Sequence, residues 1–239
     1  MGAPSSLWVY LATTPLLWLT LTVVIWILAD WLAQLSGRNP LVNPVMIAIA
    51  SVSLLATGTS YGTYFTGAQF IHFLLGPTTV AIAIPLYKNW PTVRRKALPM
   101  LAALIAGTAT SIVSAIAVGA ALGLPRTVLI SLAPKSVTAP VAMSLSESLG
   151  GVPALTAVLV VFTGVLGAVV VTPLMNAMGL RDYAARGFAA GLAAHGIGTA
   201  RAFVVDPVAG TFAGIAMGLS AILSSLLIPM IVRLLFPTA

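Results

Sequence analysis

The chain has 239 residues, of which 59% are hydrophobic and only 6% charged, and its mean hydropathy is +1.09. A soluble domain carries about 25% charged residues, so the composition excludes a water-soluble protein and predicts an all-α polytopic membrane protein. The formal net charge is +7, but the 11 Lys and Arg residues are scattered among apolar runs, which argues against nucleic-acid binding. Cysteine is absent, and the two histidines and four acidic residues form no metal-ligand cluster, so we expect no metal and no cofactor.

About eight hydrophobic segments follow one another along the chain. The first, Leu7 to Ala29, is long enough to cross a hydrocarbon core of about 30 Å and is followed by a polar link over residues 30–39. The second segment begins with two Asn-Pro-type turns, and Asn43 before Pro44 is either a helix cap or a site residue.

The third segment, Tyr61 to Tyr87, contains Gly76-Pro77-Thr78-Thr79 at its middle. Proline at this place removes a helix hydrogen bond, which predicts a broken helix and makes Thr78 and Thr79 candidate site residues. Four basic residues follow within residues 88–96, and this cluster predicts a cytoplasmic loop.

The second half of the chain alternates regular and interrupted segments. Regular spans are expected over residues 98–122, 153–178 and 211–236. Between them lie Ala133-Pro134-Lys135-Ser136-Val137-Thr138-Ala139-Pro140 and the stretch AAHGIGTARAF, residues 193–203, where proline or glycine interrupts an apolar segment.

These interruptions align with one another as an internal repeat. Matching Pro77 with Pro134 pairs the following helices, and a fainter third copy places Lys135 opposite His195. We therefore describe residues 1–239 as one transport domain, with residues 1–60 as scaffold helices and 61–239 as three units of a broken segment followed by a helix. Repeats that flank interrupted helices point to a transport site at the bilayer midplane.

The break at Pro134 has the chemistry of an anion site. A helix that starts there would direct the free amides of Lys135, Ser136 and Val137 at a ligand, and the ammonium group would add a full charge. Ser136 and Thr138 supply hydroxyls for a second oxygen of the ligand.

The stretch AAHGIGTARAF carries a second set of candidates. His195 and Arg201 can face one cavity only if the helix is interrupted between them, and Gly196 or Gly198 permits this, with Gly198 the expected break. Arg201 would bind a carboxylate, Thr199 would supply a hydroxyl, and His195 could carry a coupled proton. The alternatives are that Arg201 reaches the headgroups and that His195 only bonds a carbonyl of a neighbouring helix.

Glu147 is a second candidate for proton coupling, although Ser144 and Glu147 also have the spacing of a capping box at an interface. No nucleophile with a base and no nucleotide-binding fingerprint occurs, so we expect no enzyme.

Five motifs carry a family resemblance: GRNPLVNPVMIAIA, YFTGAQFIHFLLGPTTVAIAIPLYK, LAPKSVTAPVAM, GGVPALTAVLVVFTGVLGAVVVTP and AAHGIGTARAF. In this order and spacing they resemble the LrgB/CidB family of bacterial membrane proteins, which is similar to the C-terminal half of the plastid glycolate/glycerate transporter. The resemblance implies a multi-pass protein of the cell membrane, often beside a small LrgA/CidA-type partner. It also implies transport of small monocarboxylates such as glycolate, glycerate, pyruvate or lactate, or alternatively a holin-like role in murein hydrolase export and lysis.

Together these observations predict a secondary transporter of small monocarboxylates that works by alternating access, elevator-like and proton-coupled in its simplest form. We expect a homodimer formed through the scaffold helices. The alternative class is a holin-like pore or regulator.

Overall fold

The computed structural model describes residues 14–39, 41–74, 77 and 83–236. Every regular element in these residues is an α-helix, as predicted. The helices in chain order are α1 (Pro15–Leu35), α2 (Pro44–Leu55), α3 (Tyr61–Phe73), α4 (Ala83–Lys88), α5 (Trp90–Arg95), α6 (Ala97–Ala121), α7 (Arg126–Leu132), α8 (Ala139–Ser148), α9 (Pro153–Ala177), α10 (Tyr183–Val205) and α11 (Pro207–Leu235). They form two compact units, residues 1–83 and 84–239.

Five helices are long and apolar enough to cross a membrane, namely α1, α6, α9, α10 and α11. The predicted count of about eight spanning segments is not confirmed, because the other described segments form shorter helices. Helix α2 has 12 residues and α3 has 13, and the segment around Pro134 is divided into α7 of 7 residues and α8 of 10. At about 1.5 Å per residue, none of these crosses a core of about 30 Å alone. The predicted break at Gly76, with Thr78 and Thr79, lies outside the described residues.

In the first unit, α1 continues past the predicted end at Ala29. Asp30, Gln34 and Arg38 pair along its surface: Gln34 Nε2 donates to Asp30 Oδ2 at 2.7 Å, and Arg38 Nη1 lies 2.9 Å from Asp30 Oδ1. The predicted polar link is therefore wrong for residues 30–35, since polar residues one turn apart support a helix. Trp18 is fully buried and meets Tyr64 of α3 edge-on, at 5.8 Å between ring centroids.

The second unit has two ends, which we name after one basic residue each. At the Lys96 end, Lys96 before α6 forms an ion pair with Asp182 before α10, and Arg186 of α10 bonds Asn176 Oδ1 of α9 at 2.7 Å. At the Arg126 end, Arg126 Nη2 donates to the carbonyl of Phe236 at 3.0 Å. Helix α6 therefore runs from the Lys96 end to the Arg126 end, α9 runs back, and α11 runs in the direction of α6.

The chain between α6 and α9 folds back on itself. Ser131 near the end of α7 accepts a hydrogen bond from the amide of Val152 at 2.7 Å. The two ends of the fold-back therefore lie next to each other. The turn of this fold-back, residues 133–138, reaches the middle of α6, where Ser136 Oγ lies 2.9 Å from Ser111 Oγ. The segment thus enters from the Arg126 end and returns to it.

Helix α10 also folds back, at Ala194 (φ −129°, ψ 19°) and His195 (φ 42°, ψ −134°). A Cβ on Gly198 would lie 2.5 Å from the carbonyl oxygen of Ala190. Residues eight apart on one continuous helix are about 12 Å apart along its axis, so residues 183–193 (α10a) and 196–205 (α10b) are antiparallel. The break is therefore at His195, and the prediction that it lies at Gly198 is wrong.

Small residues allow α10a and α11 to touch at the backbone. A Cβ on Gly187 or Gly191 would collide with the carbonyls of Ala209 and Ala213, respectively. The two helices run parallel here, because the contacts advance by four residues on both. Asp206, which caps α11 by accepting from Val208 N at 2.7 Å, begins this helix directly after α10b.

Candidate functional site

Hydroxyl groups from three directions converge on one small cavity, which we call the hydroxyl cavity. Its volume is about 10 Å³, which is room for about one water-sized group. Its lining residues come from α6, the 133–138 turn, α10a and α11: Thr108, Ser111, Ile112, Ala133, Ser136, Val137, Leu192, Ser220 and Ser224. Five of them carry hydroxyls, and the cavity lies near the middle of α6. Buried polar side chains at such a depth in an apolar protein are costly, which marks the cavity as a candidate site.

Among the described residues, Lys135 is the only charged side chain at the edge of this cavity. Its Nζ lies 3.3 Å from Ser136 Oγ and 3.4 Å from Ser111 Oγ, and within the part of the chain that the structure describes it has no other hydrogen-bond partner. Ser136 is 7% exposed, so the turn brings a half-buried ammonium group into a nearly closed polar pocket. One oxygen atom of an anion would match this arrangement in size and charge.

The structure corrects one part of the predicted anion site. Helix α8 begins at Ala139 and not at Pro134, so the amides of residues 135–137 are not a free helix end. Lys135 N donates to Leu132 O at 3.2 Å and Val137 N donates to Pro134 O at 2.9 Å. Val137 is buried against apolar neighbours, while Thr138 precedes α8 and its side chain caps no amide. Pro140 lies in the first turn of α8, where no backbone donor is needed.

Thr108 is the clearest sign that the hydroxyl cavity is incomplete. Its side chain is 3% exposed, and its Oγ1 is buried with no hydrogen-bond partner among the residues that the structure describes. An unsatisfied buried hydroxyl costs about 1–3 kcal/mol. A ligand oxygen in the cavity would remove this cost.

His195 lies at the tip of the α10 fold-back and is 5% exposed. Its Nε2 is 2.9 Å from the carbonyl of Val160 on α9, and because a carbonyl only accepts, Nε2 carries the hydrogen in this arrangement. Gly164 leaves the room for the ring, since a Cβ there would lie 2.7 Å from His195 Cε1. This contact agrees with the alternative prediction, in which His195 only bonds a carbonyl of a neighbouring helix.

Thr199 and the two glycines of AAHGIGTARAF do not line the hydroxyl cavity. Thr199 and Gly198 stabilise the fold-back of α10 near His195. Thr199 Oγ1 donates to the carbonyl of His195 at 2.8 Å. Gly198 allows α10b to contact Ala190, while Gly196 is exposed and has only Met217 Sδ near its Cβ position, at 3.8 Å. Because His195 itself has a positive φ, which favours glycine, about 1–3 kcal/mol of backbone strain is held at this residue.

Arg201 does not lie with Lys135. It lines a second cavity, at the Lys96 end, which we call the arginine cavity. The residues that line it are Val171, Thr172, Tyr183, Arg186, Gly187, Ala190, Arg201, Ala202, Val205 and Ala209. The structure therefore separates the residues that the sequence grouped into one site.

Two further candidates are not among the residues that line either cavity. Asn43 is 8% exposed, and its Oδ1 accepts from the amides of Val45 and Met46 at 2.9 and 3.4 Å, so it is the cap of α2. Glu147 is exposed on α8, which ends at Ser148. Ser144 and Glu147 are therefore in the last turns of a helix, and the predicted capping box is wrong because no helix begins there.

A wide groove opens at the Lys96 end and leads towards the hydroxyl cavity. Its volume is about 450 Å³, and it is lined by Lys96, Pro99, Met100, Ala103, Asp182, Ala184, Ala185, Phe188, Ala189, Leu192 and Phe212. The hydrogen bond from Lys96 holds the pKa of Asp182 below its usual value, so the carboxylate charge at this mouth persists into acid pH. Leu192 lines the groove and the hydroxyl cavity alike, and its side chain packs against Gly107.

Sequence reasoning missed Thr108, Ser111, Ser220 and Ser224. The available signal was spacing: the first two are three residues apart on α6, and the last two are four apart on α11. Hydroxyls at such spacing share one face of an apolar helix. Small polar residues also mediate helix packing in membranes. These hydroxyl residues were therefore interpreted as packing contacts and not as site residues.

The fold and the hydroxyl-lined interior define a polytopic α-helical membrane protein. Residues 22–234 match the LrgB-like family. The chain is 33% identical over 223 residues to holin-like protein CidB of Staphylococcus aureus, covering 92% of this chain and 97% of the relative. It is 32% identical over 222 residues to CidB of Staphylococcus epidermidis, covering 92% and 96%, and 36% identical over 210 residues to YwbG of Bacillus subtilis, covering 86% and 92%. No solved structure was found to match.

The chain therefore belongs to the LrgB-like family, as the motifs indicated.

Proposed function

We propose that this membrane protein binds a small monocarboxylate in the hydroxyl cavity and carries it across the membrane. The observation that supports this most is the half-buried Lys135 ammonium, whose Nζ lies within hydrogen-bonding distance of the neutral hydroxyls of Ser111 and Ser136. A two- or three-carbon hydroxy or keto acid matches this chemistry: its carboxylate pairs with the ammonium, and its second oxygen accepts from a hydroxyl such as that of Thr108.

Access to the cavity alternates between the two ends in this proposal. The fold-backs enter as re-entrant segments, the 133–138 turn from the Arg126 end and the His195 tip from the Lys96 end. Leu192 separates the cavity from the groove, so movement of α10a away from Gly107 would open the site at the Lys96 end. Interrupted helices around a central site are the usual arrangement for such transport.

His195 is proposed to couple this movement to protons. Its Nε2–H bond to Val160 joins the tip of α10 to α9. Protonation of the free Nδ1 would place a charge at a buried site, which disfavours that packing. The His195→Gln variant keeps a donor and should retain exchange of substrate while losing drive by a pH gradient.

Uptake into proteoliposomes tests the transport proposal. Labelled glycolate, glycerate and pyruvate are offered to the wild type, Lys135→Gln and Ser136→Ala, with the exposed Lys88→Gln as the matched control. Losing a hydrogen bond to a charged group costs about 1.5–3 kcal/mol, so at low substrate concentration Lys135→Gln should reduce uptake by about tenfold or more. Absence of saturable uptake by the wild type, or equal uptake by Lys135→Gln and Lys88→Gln, would reject the proposal.

A holin-like pore or regulator of murein hydrolase export is the second candidate. The names of the staphylococcal relatives favour it over the transport proposal. It predicts unsaturable passage of large dyes that does not depend on Lys135. Dye release from liposomes, with small carboxylates as competitors, separates the two functions.

Assembly and orientation complete the proposal. Lys88, Arg94, Arg95 and Lys96 gather at one end of the second unit, which we place on the cytoplasmic side of the cell membrane. We further propose a homodimer and contact with a small LrgA/CidA-type membrane protein. Crosslinking in native membranes tests both.

A further inference from the structure

The hydroxyl cavity is too small in this structure for a complete carboxylate. Its volume of about 10 Å³ has room for about one water-sized group, so only one oxygen of a carboxylate fits. Leu192 lines both this cavity and the groove at the Lys96 end, and its side chain packs against Gly107. Leu192 therefore closes the cavity towards the groove. A ligand of this closed form is a water molecule or a monatomic ion.

The polar groups of the cavity can all donate to an anion. Five hydroxyl residues line it, and four of them are buried: Thr108, Ser136, Ser220 and Ser224. A hydroxyl hydrogen rotates about its C–O bond, so these groups can turn towards one central ion. The hydroxyl of Thr108 has no hydrogen-bond partner among the described residues, and an ion in the cavity would supply one.

The charge of Lys135 decides between water and an ion. Its Nζ lies 3.3 and 3.4 Å from the neutral hydroxyls of Ser136 and Ser111. The chain has four acidic residues, none of which lines the cavity or forms an ion pair with Lys135: Asp30, Glu147, Asp182 and Asp206. A water molecule would fit but would leave the half-buried charge without a counter-ion, which is costly. An anion of the same size compensates it.

We propose that the closed hydroxyl cavity is a halide site, in which one chloride ion accepts hydrogen bonds from Lys135 Nζ and from surrounding hydroxyls, including that of Thr108. This inference rests on the anion site of the proposed function and names the inorganic ion that occupies it when it is closed. Chloride and a carboxylate pair with the same ammonium group, so they exclude each other. The carboxylate additionally requires the cavity to widen.

Thermal unfolding in detergent tests the halide site in the absence of any carboxylate. Sodium chloride replaces sodium methanesulfonate, a larger monovalent anion, at constant ionic strength. The wild type is compared with Lys135→Gln, Thr108→Val and the exposed control Lys88→Gln. A ligand that binds only the folded protein raises its Tm. We expect a saturable rise with chloride in the wild type and Lys88→Gln, and no rise in Lys135→Gln.

Thr108→Val covers the case in which Lys135→Gln does not fold. Valine has nearly the shape of threonine and removes a buried hydroxyl without a partner in the described fold, so the chloride-free protein should be no less stable than the wild type. Loss of a hydrogen bond to a charged group should weaken chloride binding by about tenfold or more. No rise in the wild type, an equal rise in Lys135→Gln, or an undiminished affinity in Thr108→Val would overturn the proposal.

Uptake into proteoliposomes separates this result from the fate of the transport proposal. Chloride should raise the KM for the carboxylate several-fold and leave kcat unchanged, because the two anions compete for one site. Saturable uptake that chloride does not inhibit would retain the transport function and reject the halide site. A chloride-dependent Tm that requires Lys135, in a protein without uptake, would support the halide site and reject transport.

Discussion

Two buried threonines with opposite hydrogen-bond status show how the interior of the second unit is used. Thr156 of α9 is fully buried, and its Oγ1 donates to the carbonyls of Ser131 and Val152 at 3.0 and 3.2 Å. The hydroxyl of Thr108 is also buried in apolar surroundings but has no hydrogen-bond partner within the described part of the chain. The first hydroxyl stabilises the fold-back of residues 126–152, whereas the second contributes no hydrogen bond to the described part of the fold.

Valine substitutions should therefore change stability in opposite directions. Valine has nearly the shape of threonine, so Thr108→Val removes an unsatisfied group and should raise the unfolding free energy by about 1 kcal/mol, while Thr156→Val should lower it by about 1 kcal/mol. Denaturation of both variants in detergent measures this. Under the transport proposal Thr108→Val should also weaken carboxylate binding. A Thr108→Val protein less stable than the wild type would mean that the hydroxyl has a partner within the fold.

At the scale of elements, the second unit depends on how closely α10a approaches α11. Backbone carbonyls of Ala209 and Ala213 occupy the positions that side chains on Gly187 and Gly191 would need. Close approach through small residues is a principal way in which helices associate in a membrane, where the hydrophobic effect does not drive them together. One added methyl group should force the helices apart.

The variants Gly187→Ala and Gly191→Ala test this contact. Each should destabilise the protein by about 1–3 kcal/mol, since the clash is with backbone rather than with a movable side chain. The control is Gly218→Ala in the same α11, where no atom lies within 4 Å of the new Cβ. Thermal unfolding distinguishes them. Equal Tm values for Gly187→Ala and Gly218→Ala would show that the helices are further apart than described.

The breaks of the helices were predictable from the sequence, but their geometry was not. Proline at position 134 and the glycines after His195 indicated two interruptions, and both are present. The direction of the chain after each break depends on tertiary contacts such as Ser131 with Val152, which lie 21 residues apart. For the same reason the sequence placed Arg201 with Lys135: only the reversal at His195 carries Arg201 back to the Lys96 end. The three-unit repeat stays a prediction, since its first break lies outside the described residues.

At the scale of the whole molecule, the fold-back of α10 decides which ends of the second unit share a side of the membrane. Length and apolar composition alone would make α10 a crossing. We predict that the reversal at His195 leaves the second unit with three crossings, α6, α9 and α11. The start of α10 and the start of α11 then lie on one side.

Single cysteines in this cysteine-free chain test that arrangement. Arg181→Cys and Val204→Cys should react with a membrane-impermeant maleimide from the same side, and Leu122→Cys and Ser148→Cys from the other, because all four positions are exposed. Labelling of right-side-out and inside-out vesicles gives the result. Opposite sidedness of Arg181→Cys and Val204→Cys would establish that α10 crosses the membrane.

The backbone contact between α10a and α11 also limits how the protein can move. Helices joined at Gly187 and Gly191 cannot slide past each other without breaking that fit, so α10a and the first half of α11 behave as one rigid body. Pro229 interrupts the hydrogen-bond ladder of α11 in its second half, nearer the Arg126 end. Bending at Pro229 would swing the joined pair, together with Leu192, relative to α6, while the hydrogen bond between Arg126 and Phe236 stays in place.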